Sequence, residues 1–209
     1  EVNQHILNSL QCIPNVLYGP HIGLREGIKL FSEYNGTNNI ICNGLSPWNV
    51  NLYKIYMNNP KVKIISLPFP VNVKKFINKE PINDLFFVYF KHISQYKLDI
   101  IKKLLSDFKQ INYKLFIYGE YNEQDYLDTI SKCKYGIYIG SHESQGFAFQ
   151  EALSCNCPLF VYNATSMKEE CLDNHYYPWK DFEGDLPCTS ASYFDETCGI
   201  LYDDKANNL

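Results

Sequence analysis

No run of about 18 or more apolar residues occurs in the 209-residue chain, so no segment of it reads as a membrane-spanning helix. The opening EVNQHILNSLQC lacks the basic-then-apolar order of a signal peptide, and a soluble, cytoplasmic chain is expected. Positive charge is not in excess. A formal net charge of −4 argues against a nucleic-acid backbone as the main partner. There are no internal repeats and no low-complexity tracts. The pair Cys155-x-Cys157 has no second pair at zinc-finger spacing, so no metal site is expected. The eight cysteines are scattered among apolar residues, as at Ile41-Cys42, and read as reduced core thiols rather than a disulfide framework. Asn35-Gly-Thr and Asn163-Ala-Thr match the glycosylation sequon and are given no role.

What is present centres on residues 135–163, YGIYIGSHESQGFAFQEALSCNCPLFVYN. Tyr135 to Ile139 is a short apolar, β-rich run, and Gly140 to Gly146 is a polar stretch with a glycine at each end, so a strand feeds a loop. Phe147, Ala148, Ala152 and Leu153 then fall at helical spacing, and Cys-Asn-Cys-Pro stops the helix before a second buried strand, Leu159 to Tyr162. This is a β-loop-α-β unit of a parallel sheet, and such sheets bind ligands beyond the carboxyl ends of their strands. A helix opening near Gly146 presents unpaired N–H groups and a positive dipole end to an anion such as phosphate. Glu143 precedes those donors and Glu151 lies about one turn inside the helix. Two carboxylates would repel the phosphate itself, so they make better sense as acceptors for hydroxyls on either side of it, of the kind sugars and riboses supply. The plain alternative is that Glu143 is a solvated loop acid and Glu151 a surface helix acid.

Glu143-x7-Glu151, with Gly146-Phe147 inside it and Glu-Ala-Leu-Ser-Cys-Asn-Cys-Pro after it, resembles the nucleotide-sugar signature of retaining GT-B glycosyltransferases of the family-four type. The resemblance implies that Glu143 contacts the donor sugar, that the backbone of Gly146 and Phe147 lies against sugar and phosphate, and that Glu151 binds the ribose hydroxyls. Asn156 stands where the family usually has Gly, and Asn also tolerates the left-handed conformation at a helix end.

The flanking chain extends this reading. Residues 12–22 read as a strand and turn that leave His21 at a strand end, where the family places a histidine facing the donor sugar. A helix over 24–34, a strand from Asn39 to Cys42 and a helix from Ser46-Pro47-Trp48 to about Met57 follow, with Ser46 as N-cap. VKIISLPFPVNVKKF resembles the family's crossing segment, with Val71-Asn72 in place of Val-Asp. It divides the chain into a partial acceptor-side domain, 1–75, and a donor-binding domain, 76–209. After the strand Leu85 to Phe90 come Lys91 and Lys97, the second opening a helix to about Phe108. Two cations flanking a short loop can converge on a diphosphate, and they resemble the family's paired Arg and Lys, Lys91 giving up a bidentate fork for a point charge. The alternative is two solvated lysines. Tyr113 to Tyr118 reads as a strand with Gly119-Glu120 at its end, where the family binds base or phosphate, and Asn122 to Cys133 as a helix. Ser166 to Leu172 is read as helical, Asn174 to Ala191 as irregular, and Cys198-Gly-Ile-Leu-Tyr as the last strand.

The expectation is therefore an α/β protein of GT-B type with a Rossmann-like parallel sheet, in truncated or minimal form. It would be a glycosyltransferase that uses a nucleotide sugar as donor substrate, with retention implied by the resemblance and with neither metal nor cofactor. The absence of an Asp-x-Asp at a strand end agrees with Lys91 and Lys97 taking over charge neutralisation. The acceptor, whether glycan, lipid or protein, is left open. The rival is a non-catalytic nucleotide-sugar-binding module or subunit. A sugar epimerase would carry a Gly-rich dinucleotide fingerprint, and none is seen.

Overall fold

The computed structural model describes residues 5, 8–9, 12–20, 24–80, 84–91, 95–107, 111–167 and 186–203. These fall into two compact units, the first ending at Phe69 and the second starting at Pro70.

The first unit alternates strand and helix: β1 (Asn15–Tyr18), α1 (Leu24–Ser32), β2 (Asn39–Gly44), α2 (Pro47–Met57) and β3 (Val62–Ser66). Its three strands are parallel in the order β1-β2-β3. Proline at the start of α2 loses no intrahelical bond and has its φ preset, which is why the helix begins there. Ser46 does occupy the N-cap in an extended conformation, but its hydroxyl donates to Asn49 Oδ1 at 3.1 Å instead of accepting from the helix backbone. The helix ends at Asn58, whose φ of 41° is the left-handed turn that Asn tolerates. Phe31, Ile40, Cys42, Leu52 and Met57 are buried here.

The second unit runs β4 (Leu85–Lys91), α3 (Gln95–Asp107), β5 (Asn112–Ile117), α4 (Glu123–Ile130), β6 (Tyr135–Gly140), α5 (Phe147–Ser154), β7 (Leu159–Tyr162) and β8 (Gly199–Tyr202). All its strands are parallel, in the order β5-β4-β6-β7-β8. β4 is an interior strand between β5 and β6, and Phe86 to Phe90 are all buried, the continuous apolar run that a strand covered on both faces requires. One face carries Phe87, Tyr89, Phe116, Tyr138, Leu159 and Val161, covered by Tyr126 and Ile130 of α4 and by Phe149 and Ala152 of α5. The step from β4 to β5 runs the opposite way along the sheet from the later ones, so a right-handed crossover puts α3 on the other face. The protein is thus α/β with two parallel sheets, compatible with a Rossmann-like fold.

Expected and observed elements differ at their ends. α5 and β7 have the expected bounds, whereas α3 opens at Gln95, two residues before Lys97. Asn122 caps α4, its side chain accepting from the N–H groups of Gln124 and Asp125, and the helix stops at Ile130 rather than Cys133. Ser166 pairs with Pro187 in an isolated antiparallel bridge. Most of the helix expected over 166–172 lies outside the described residues, as does His21. Among the described residues, no helix is long and apolar enough to cross a membrane.

The strand order reverses direction between β4 and β6. From β4 the chain leaves toward β5 on one side, and from β6 toward β7 on the other, which opens a crevice at their carboxyl ends. Close packing beneath this crevice leaves Gly136 no room for a side chain: a Cβ there would collide with the ring of fully buried Phe87 and come within 2.8 Å of Leu159 Cδ2. Gly136→Ala is expected to destabilise the protein by roughly 1–3 kcal/mol through overpacking. Thermal denaturation checks this, at about 2–4 °C of Tm per kcal/mol.

Candidate functional site

The crevice is lined by the ends of β4 and β6. Lys91, the last residue of β4, stands in register with Gly140, the last of β6, and the Ser141 hydroxyl donates to the Lys91 carbonyl at 3.2 Å. This fixes the start of the loop that carries Glu143. Glu143 is only 8 % exposed. Its Oε1 accepts from the Tyr138 hydroxyl at 2.6 Å and pairs with Lys91 Nζ at 2.7 Å. The plain reading of Glu143 as a solvated loop acid is therefore wrong, because the loop folds the carboxylate inward onto two donors.

Tyr138 is buried in β6 and stacks on Tyr89, with ring centroids 5.0 Å apart and planes 9° from parallel. Burial, and next the Glu143 charge, push its phenol well above the ordinary value, so it stays protonated and donates. The Glu143 backbone is held from the far end of the chain. Its N–H donates to the Thr189 carbonyl at 2.9 Å, and its carbonyl accepts from Ser192 Oγ at 3.1 Å. Asn163, just past β7, anchors that segment: its Oδ1 accepts from Thr189 Oγ1 and from the Ser190 N–H, each at 2.9 Å.

Lys91 is partly exposed, and its ammonium lies over the ring of Tyr118, 4.5 Å from the centroid. Tyr118 follows β5 and is 58 % exposed. Beside it Gly119 turns with φ of 83° below open space, since a Cβ there would meet nothing within 4 Å. Gly146, the N-cap of α5, has φ of 81°, and a Cβ would run into the Phe149 ring, so glycine is required on both counts. Phe147 opens α5 with its side chain exposed. Lys97 sits partly buried in the first turn of α3.

Glu151 is half-buried, one turn into α5. Burial raises its carboxyl to about 7; the Lys75 charge offsets part of this and Glu123 adds to it. A carboxyl raised in this way holds its proton to higher pH than an ordinary glutamate, and in its protonated form it can donate as well as accept. Among the described residues, no group of three or more His, Cys, Asp or Glu side chains could hold a metal ion.

The structure thus brings Lys91 and Glu143 together and adds Tyr138, Tyr118, Thr189 and Ser192, which sequence reasoning missed. Only Tyr138 left a signal. In Gly-Ile-Tyr-Ile-Gly it shares a strand face with two glycines, and a Cβ at Gly140 would strike its ring. His21 belongs to the residues not described. Compared with models of known protein families the chain matches none, and no curated protein matches it.

The raised Glu151 carboxyl gives a stability prediction. A carboxyl whose folded value lies above its unfolded one favours folding when protonated, so its contribution is fully present below about 4.5 and is lost as pH rises to about 7. Glu151→Gln mimics the protonated form. The variant is expected to melt with wild type at pH 4.5 and above it at pH 8, read as Tm across that range.

Proposed function

We propose that the chain is a GT-B-type glycosyltransferase that moves a sugar from a nucleotide donor to an acceptor, with retention of configuration and without a metal, in the cytoplasm. The observation that carries this reading is the pairing of partly exposed Lys91 with buried Glu143 at the reversal point of the parallel sheet, where open α/β sheets take their ligands. It adds to the Glu143-x7-Glu151 resemblance. A cation and a carboxylate side by side suit a ligand that carries a phosphate next to hydroxyls. Lys91, with Lys97, stabilises the diphosphate as its bond to the sugar breaks. Glu143 accepts from a hydroxyl of the donor sugar. The N–H groups opening α5 at Gly146 and Phe147 lie against sugar and phosphate, Gly119 leaves room beside the base, and Glu151 holds the ribose. His21 takes its place facing the donor sugar by resemblance alone.

A non-catalytic nucleotide-sugar-binding module is the second reading, favoured by a first unit of only three strands and two helices among the described residues. A panel of nucleotide sugars tested by thermal shift decides whether the site binds donors at all. The matching ligand at 100 times its Kd stabilises by about 2.7 kcal/mol, and no shift with any of them removes both readings. With that ligand in hand, Glu151→Gln is expected to weaken nucleoside diphosphate binding about five- to tenfold, roughly 1–1.4 kcal/mol, because it loses the ribose contact. Glu143→Gln should not weaken that binding but should lower turnover at least tenfold, or about 1.4 kcal/mol. Donor breakdown in the presence of candidate acceptors separates transferase from module.

A further inference from the structure

Glu143 is fixed on three sides. Thr189 holds its N–H, Ser192 its carbonyl and Tyr138 its Oε1, and the segment that brings Thr189 and Ser192 is itself tied to Asn163. Lys91 is fixed differently. Its backbone is locked in β4, but its ammonium reaches Glu143 at the end of a four-carbon stem, is partly exposed, and rests on the exposed ring of Tyr118. Of the two charged partners, the lysine is the one that can turn, and the face of Tyr118 offers its charge a favourable surface as it does so. An anion entering the crevice therefore meets an ammonium already neutralised by a carboxylate.

We propose that Glu143 serves as the internal counter-ion of Lys91, and that an incoming diphosphate takes Lys91 over and so hands the Glu143 carboxylate to the hydroxyls of the same ligand. This rests on the donor-site reading above. The exchange makes anion occupancy favour Glu143's action: while Lys91 is on Glu143, the cation offsets the carboxylate's charge and shares Oε1 with the Tyr138 hydroxyl, so the group is a weaker acceptor for a ligand hydroxyl than it becomes once Lys91 leaves. Once Lys91 has moved, Glu143 keeps the Tyr138 hydrogen bond and with it its orientation. A ligand with hydroxyls but no phosphate would not effect the exchange.

The test is a double-mutant cycle read by calorimetric titration with inorganic pyrophosphate, using wild type, Glu143→Gln, Lys91→Met and the double variant. Glu143→Gln is expected to bind pyrophosphate about tenfold more tightly than wild type, and Lys91→Met at least about tenfold more weakly. In the Lys91→Met background the gain from Glu143→Gln should fall below about threefold, because there is no lysine left to release. An equal gain in both backgrounds means simple repulsion of the anion by the carboxylate and overturns the exchange. So does no gain at all, or no binding by any variant up to about 10 mM. Thermal unfolding reports whether each variant is folded. If Glu143→Gln is not, Glu143→Asp, which withdraws the carboxylate from Lys91 by one methylene, should give a smaller gain of the same sign, and its absence overturns the proposal. Wild type titrated with nucleotide sugars separates the two readings. The pyrophosphate pattern without nucleotide-sugar binding leaves the exchange standing and removes the donor reading, while nucleotide-sugar binding with an additive cycle does the reverse.

Discussion

A carboxylate taken almost wholly out of water needs partners, and the arrangement around Glu143 follows from meeting that need. The idealised cost of moving such an ion into a low-dielectric interior is of order 20 kcal/mol, and several kcal/mol persist after relaxation. An ammonium and a phenol are among the partners that answer it here, both delivered by the parallel sheet. The β4–β6 register puts the end of one strand level with the end of the other, so Lys91 is beside the Glu143 loop before any side chain is positioned. Tyr138 reaches the same oxygen from within β6, two residues before the strand ends.

That phenol in turn depends on the packing below. The face of the sheet under α4 and α5 is built largely from aromatic rings, several of them tyrosines with hydroxyls to satisfy. The Tyr126 hydroxyl donates to the Ala148 carbonyl at 2.7 Å, the Tyr89 and Tyr121 hydroxyls meet at 3.3 Å, and Tyr138 uses Glu143. Edge-to-face contacts join Tyr126 to Phe87 and Phe116, and each such pair adds about 0.5–1.5 kcal/mol beyond area burial. Of these hydroxyls, that of Tyr138 is the one that reaches the loop carrying Glu143.

Much of this order was legible in the residues. α5 and β7 match the expected bounds because Gly146 and the Cys-Asn-Cys-Pro run punctuate them chemically, and β4 declares itself by five consecutive buried apolar residues. Lys91 at the end of a strand and Glu143 in the following unit's loop could be proposed from spacing. Their pairing could not, because it depends on β6 rather than β5 lying on that side of β4. Nor could the inward turn of Glu143, which is held by Thr189, from a stretch read as irregular, and by Ser192 just beyond it. The raised carboxyl of Glu151 was not legible for another reason: helical periodicity places the residue on a face, but the shift comes from burial, and periodicity does not measure that. Ser46 stands at the N-cap as residue type dictates, while its hydroxyl prefers Asn49, a choice made by local geometry.

The hold of Ser192 on the Glu143 carbonyl spans 49 residues of chain. The β4–β6 pairs, such as Phe86 with Tyr135, close an equally long stretch, so it is the later place of Ser192 in the chain that delays its contact. During synthesis, the strands β4, β6 and β7 can pair while the remainder is still in the ribosome, giving a sheet with a loose loop at its reversal point. The loop acquires its final shape only after the stretch through Ser192 has emerged and docked on Asn163. At roughly 5–20 residues per second, that separates the pairing of β4, β6 and β7 from the maturation of the crevice by seconds. A nascent chain interrupted in that interval would hold β4, β6 and β7 paired, with β8 not yet added and the crevice unformed.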